Sequence, residues 1–208
     1  MPYPSKTDRQ TILSAALKDL ARRGIRDLSL RSLAASLGLA PNAIYRYFSD
    51  RSALEAALAN EAARQLELAL RRAADGCEPV TTIREMSSAY LKFARKNRHL
   101  YEVMMSLHNP DYDATSRQSL WAFTVEQVQR IAGSDRAAQA SVALWAFLHG
   151  AVTLEAAQVF GENKPVSGLE FGLDAWLMAA SASEQTMKAL QTKSNKRTAK
   201  RPRDNAGK

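Results

Sequence analysis

SLRSLAASLGLAPNAIYRYFSDR, residues 29–51, reads as two short helices joined by a tight turn. Ser29 has the hydroxyl of an N-cap, and Leu30, Leu33, Ala34 and Leu37 follow as one apolar stripe at helical spacing. Gly38 supplies the left-handed residue that ends such a helix. Pro41 suits a first helical position, where its missing N–H would have had no partner. In the second helix Ile44 and Phe48 stand at i and i+4 and are predicted to face inward, leaving Asn42, Ala43, Tyr45 and Arg46 outside. Packing gives no reason for a short helix to present Asn, Tyr and Arg. A helix-turn-helix whose second helix enters a DNA groove does.

Side chains at the start of such a helix reach base edges in the major groove. Asn42 has the paired donor and acceptor that match adenine N6 and N7, and it is equally suited to capping the helix. Arg46 fits guanine or a phosphate, and Ala43 is small enough to meet a thymine methyl.

Together with its flanks, the segment resembles the DNA-binding domain of the TetR family of transcriptional regulators. The resemblance rests on TILSAALKDLARRG (11–24), LSLRSLAASLGLA (28–40) and PNAIYRYFSDRSAL (41–54). The family pattern reads Tyr-x-His-Phe-x-x-Lys followed by Leu. Here Tyr47 stands in the His place and Arg51 in the Lys place, which keeps hydrogen-bonding or cationic character. The match covers about the first quarter of the chain. It implies that Tyr45, Tyr47 and Arg51 touch the sugar-phosphate backbone, that Arg31 touches backbone or a base, and that Pro41, Asn42, Ala43 and Arg46 form the groove-facing start of the recognition helix. For Tyr47, packing against the first helix is the other reading.

Charge supports the same division. Residues 1–50 hold eight basic and four acidic side chains, residues 51–192 hold 14 and 16, and residues 193–208 hold seven and one. Of the net charge of +8, the basic excess therefore sits at the two ends, as expected where one end meets phosphate. With 208 residues and 46% hydrophobic content, the chain can bury a substantial core in one or two domains. It has no long uninterrupted apolar run and no signal-like start, so a cytoplasmic location without membrane contact is expected. The single cysteine, Cys77, precludes an internal disulfide. No nucleophile elbow, phosphate loop or paired-carboxylate site stands out. His99, His108 and His149 are scattered, so neither a metal, a cofactor nor an enzyme is expected.

The chain is predicted to be all-α, with a helix-turn-helix domain over 1–50, a helical regulatory and dimerisation domain over 51–190, and a disordered basic tail over 191–208. The first helix is placed at 6–23 with Ser5 and Asp8 as a capping pair. A long helix runs from about 49–52 to about 74. Others fall near 81–96, 98–107, 115–132, 136–160 and 169–190, with breaks at Asn109-Pro110, Gly133-Ser134 and 161–168.

In the 136–160 helix, Leu144, Phe147, Leu148, Ala151 and Leu154 form one apolar face, and Trp145, His149, Val152, Ala156 and Val159 another. A helix apolar on both sides needs two burying surfaces. The last helix repeats the problem with Leu169, Leu173, Trp176, Leu177 and Ala180. A two-fold dimer is the economical answer: Trp145, His149, Val152, Ala156, Leu173, Trp176, Leu177 and Ala180 would meet their copies in a four-helix bundle. Two recognition helices about 34 Å apart would then read a palindromic duplex. Dimerisation of this kind is also what the family resemblance implies. Trp145-x-x-x-His149-Gly150 and the NRHLYEVMM run from Asn97 resemble one branch of the family's regulatory domains, marked by a Trp-His-Gly signature. The adaptable and aromatic set Met86, Tyr90, Phe93, Tyr101, Met104, Met105, His108, Trp121, Val125, Trp145 and His149 is the candidate wall of a ligand cavity. Taken singly, each is better read as core. The resemblance implies a repressor released from DNA by a small hydrophobic or aromatic effector; control by a protein partner, or by no effector, is the alternative.

Overall fold

The computed structural model describes residues 7–106, 115–159, 161 and 166–182. Regular structure among them is helical throughout: α1 (Arg9–Arg23), α2 (Leu30–Ser36), α3 (Pro41–Tyr45), α4 (Arg51–Ala74), α5 (Pro79–Lys96), α6 (Arg98–Ser106), α7 (Thr115–Ala132), α8 (Ala137–Ala156) and α9 (Val166–Ser181).

Capping explains most boundaries. Asp8 accepts from the Thr11 amide at 2.7 Å, so α1 begins at Arg9 rather than residue 6; Ser5 lies outside the described residues. Asp50 does the same for α4 through the Ala53 amide at 2.8 Å. Pro79 opens α5 two residues before the predicted start, because a helix can begin on a residue without an N–H. α8 stops at Ala156, short of residue 160, where the chain turns through Gln158 at a φ of 53°. α9 starts at Val166 instead of 169. The predicted stretch to 190, the 191–208 tail and the Asn109-Pro110 break lie outside the described residues.

α1, α2 and α3 close a small core on Ile12, Leu13, Leu20, Leu33, Ile44 and Phe48. α4 leaves this head and becomes the spine of the body, packing on α5, α6 and α7 as well as α1. Its buried stripe alternates Leu54, Leu58, Leu66 and Leu70 with Ala59, Ala62 and Ala63, and the small residues let neighbouring helices approach. α8 lies over α5 and α7, and α9 closes onto α8 and α7.

The outer helices settle which apolar face turns inward. Val152, Leu177 and Ala180 are buried within this chain, while Trp145, His149, Leu173 and Trp176 are half-buried. The Trp176 indole donates to the Ala140 carbonyl at 3.0 Å. Of the eight residues predicted to meet a second copy, only Ala156 faces outward. The opposite stripes are free: Val142 and Leu154 on α8 are exposed, and on α9 Phe171 and Met178 are 78% and 77% exposed. Two apolar stripes on one helix cannot be ranked by spacing alone, and this chain buries part of each: Leu144 and Leu148 of one, Val152 of the other. α8 is also long and apolar enough to cross a membrane by composition, with a mean hydropathy of 1.3. It docks instead on the helical core through Leu144 and Leu148.

Candidate nucleic-acid interface and regulatory cavities

The reading head is held by local hydrogen bonds. The Ser29 hydroxyl accepts from the Ser32 amide at 3.1 Å, and Gly38 turns the chain at a φ of 65°. The Leu39 amide then donates to the Ala34 carbonyl at 2.9 Å, which sets the angle between α2 and α3. Ala40 is the N-cap of α3 and makes no side-chain cap bond, so capping does not occupy Asn42. Ile44 and Phe48 are buried, as predicted. Pro41, Asn42, Tyr45 and Arg46 are exposed, Tyr45 by 51%, and Ala43 is half-buried. Arg31 is exposed at the start of α2.

Two predicted contact residues have work inside the protein. Tyr47 is half-buried, and its hydroxyl donates to the Thr7 carbonyl at 2.8 Å, which ties the end of the recognition segment to the entrance of α1. Arg51 binds Glu55 at 2.6 Å through Nε and the Ile25 carbonyl at 2.6 Å through Nη2, clamping the α1–α2 connection to the first turn of α4. Sequence reasoning missed Arg9, whose guanidinium lies 4.8 Å from the centre of the Phe48 ring and adds an exposed cation beside the head. Only contact with an aromatic 39 positions away marks it, and no local spacing encodes that.

In the body, a hydrogen-bonded chain joins three predicted ligand residues. The Tyr90 and Tyr101 hydroxyls stand 2.7 Å apart, and the Tyr101 hydroxyl is 2.7 Å from His149 Nδ1. The tyrosine rings meet edge to face at 5.9 Å, and Trp145 meets Tyr90 in the same way at 6.5 Å. Burial, reinforced by the neighbouring Tyr101, pushes the Tyr90 phenol far above its ordinary range; burial raises Tyr101 as well. Both phenols stay protonated at any physiological pH.

The chain forms the wall between two spaces. On one side is an inner cavity of about 30 Å³, lined by Leu66, Met86, Tyr90, Leu120, Trp145 and Leu148 among others. On the other is an open groove of about 590 Å³ between α5, α6 and α8, reached by Tyr101, Met105 and His149. The predicted ligand set therefore divides. Met86, Tyr90 and Trp145 line the cavity, and Tyr101, Met105 and His149 the groove. Phe93 and Met104 are buried core side chains and Val125 is half-buried; none of these three lines either space. The Trp121 ring meets Trp145 at a tilt of 40° with centres 6.1 Å apart, and His108 lies outside the described residues. The cavity residues from α4 and the groove arginines Arg95 and Arg98 were not foreseen, because an aliphatic stripe and exposed cations carry no signal of their own. Among the described residues, no three His, Cys, Asp or Glu side chains gather to hold a metal.

Comparison with known proteins places both halves. A family model for bacterial regulatory proteins of the tetR family matches residues 12–58, and one for the tetracyclin repressor-like C-terminal domain matches residues 83–174. An uncharacterized HTH-type transcriptional regulator of Mycobacterium tuberculosis is 27% identical over 158 residues, 73% of this chain and 72% of the relative. Among solved structures, a protein of unknown function from Rhodococcus sp. RHA1 superimposes with a TM-score of 0.75 at 26% identity, covering 88% of this chain and all of the other. A TetR variant of Acinetobacter baumannii AYE, solved in complex with minocycline, superimposes with a TM-score of 0.63 at 20% identity over 83% of this chain and 96% of that one, a likeness of fold.

Proposed function

The chain belongs to the TetR family of bacterial DNA-binding transcriptional regulators, and on that footing we infer that it is a homodimeric repressor of a palindromic operator, released by a small hydrophobic or aromatic effector. The observation that carries DNA reading is the division of α3 and the turn that follows it: Ile44 and Phe48 hold the core, while Asn42, Tyr45 and Arg46 stand exposed with no packing duty. Arg46 and Asn42 read base edges, Ala43 packs at the groove floor, and Tyr45 with Arg31 grips the backbone. Tyr47 and Arg51 position the head through their internal bonds. The copies meet through the outward stripes of α8 and α9, around Val142, Leu154, Phe171 and Met178, whose exposure on two adjacent helices supports a partner. Among the described residues, nothing outside its own helix backbone and chain neighbours lies within 4 Å of a Cβ built on Gly150, which leaves room for that partner's approach. With Trp145 and His149, Gly150 also supports placing the regulatory domain in the Trp-His-Gly branch.

The inner cavity admits little more than a water or two in this packing. An aromatic effector that entered this cavity would have to spread α4 from α7 and α8, and this requirement would give it different affinities for two arrangements of the body. The same small volume favours the alternative, a regulator governed by a protein partner. Selection of bound fragments from random duplexes at physiological salt tests the main reading. Recovery of a two-fold symmetric site supports it, and enrichment of no motif sinks it.

A further inference from the structure

The groove between α5, α6 and α8 carries two arginines, Arg95 and Arg98. Arg95 uses Nε on Glu155 at 2.8 Å, and Arg98 uses Nε on Glu102 at 2.9 Å. Among the described residues, the terminal nitrogens of both guanidinium groups have no further partner. His149 adds a third donor, by an argument from the chain behind it. With the Tyr90 hydroxyl donating to Tyr101, the Tyr101 hydroxyl in turn donates to His149 Nδ1. The reverse order would turn the Tyr90 O–H away from Tyr101 and into a cavity walled mostly by apolar side chains. An imidazole accepting at Nδ1 carries its hydrogen on Nε2, and that edge is the one left for the groove.

Arg95 is paired with Glu155 and Arg98 with Glu102, and each pairing engages the arginine through Nε. Ala94, Met105, Val152 and Ala156 supply apolar surface beside them. The volume of about 590 Å³ lies within the usual range for small-molecule sites.

We propose that this groove binds a small organic anion, a carboxylate on a compact apolar body. The carboxylate lies between the Arg95 and Arg98 forks and His149 Nε2, and the apolar body rests on Met105 and Val152. Each arginine keeps its glutamate on Nε and offers its terminal pair to the ligand, the geometry in which charge-assisted bonds are strongest. The proposal deepens the effector reading, and its regulatory part rests on it. α6 forms one side of the groove and also packs against α1 of the DNA-reading head, with the His99 ring 3.3 Å from where a Gly24 Cβ would stand.

Benzoate and its neutral isostere benzamide are the probes. They are titrated into the full chain by calorimetry at low and high salt, with methyl NMR signals of Met105 and Val152 followed in parallel. Benzoate is expected to bind about tenfold or more tighter than benzamide, as suits hydrogen bonds to charged donors. The gap should narrow with salt and largely close in Arg95→Gln and Arg98→Gln variants of unchanged thermal stability. Equal binding of the two probes, binding of neither, or benzoate shifts centred on Leu66 and Leu120 would overturn the groove assignment. The last of these leaves the effector reading standing. Benzoate bound in the groove without any change in operator affinity supports the site and removes its regulatory part.

Discussion

Arg136 precedes α8, but its side chain belongs to the end of α9. Nη1 donates to the Ala179 carbonyl at 3.3 Å, and Nη2 to the Ala180 and Ala182 carbonyls at 2.8 and 2.7 Å. Carbonyls in the last turn of a helix have no amide of the next turn to accept from, and a cation there also meets the negative end of the helix dipole. Gln in place of Arg136 is too short to span the three. A hydrogen bond from a charged group is worth about 1.5–3 kcal/mol, but these carbonyls are partly open and regain water, so about 2–3 kcal/mol in total is expected. At roughly 2–4 °C per kcal/mol for a chain of this size, Arg136→Gln should lower Tm by about 5–10 °C in far-UV dichroism. Arg136→Lys should recover under half of that, because one ammonium cannot serve three acceptors in a fork. If Arg136→Gln melts within about 1 °C of the wild type, the bonds are not holding α9 and the reasoning fails.

Other outcomes are as specific. Tyr45→Ala and Arg46→Ala should weaken operator binding by about 1–3 kcal/mol in gel-shift titrations while sedimentation shows the dimer intact. Phe171→Lys combined with Met178→Lys should give monomers by light scattering with the helix content preserved; a persisting dimer would move the interface elsewhere. Tyr47→Phe should cost about 1 kcal/mol in urea unfolding, the value of the lost bond to Thr7, with a smaller loss of DNA affinity than Tyr45→Ala. Hydrogen bonding from Arg23 holds the Asp19 carboxyl below its ordinary value of 3.8. The folded pKa lies under the unfolded one, so this pair's stabilisation is complete above the unfolded value and drains away as pH falls through 3.8 toward the folded value. Asp19→Asn should flatten the acid limb of the stability profile between about pH 5 and 2.

The head was legible because its signals are local. Ser29, Gly38 and Pro41 each act on their own backbone, and the pair Ile44 and Phe48 fixes which side of a five-residue helix is buried. The body was legible as helices but not as faces. α8 is apolar nearly all round, so its docking was decided by long-range partners such as Tyr101, 48 positions before His149. The groove shows the same limit: Arg95 and Glu155 stand 60 positions apart, and neither sits in a motif. Tyr47 falls between the two cases. Both of its readings were visible, and the Thr7 carbonyl, 40 positions away, gives its hydroxyl a partner inside the protein.

The 24 residues of α4 form one unbroken rod of about 36 Å, at 1.5 Å of rise per residue. If its far end is held in the body, a tilt of about 5° sweeps the head end through about 3 Å, longer than the hydrogen bonds that read a base. Two copies tilting in opposite directions double the change in head separation, against half-sites that DNA keeps about 34 Å apart. Angular compliance at one end thus becomes a mismatch of pitch at the other. In these terms the proposed dimer would need no rearrangement of the reading head itself to lose its grip, only a small error in the distance at which two intact heads are held.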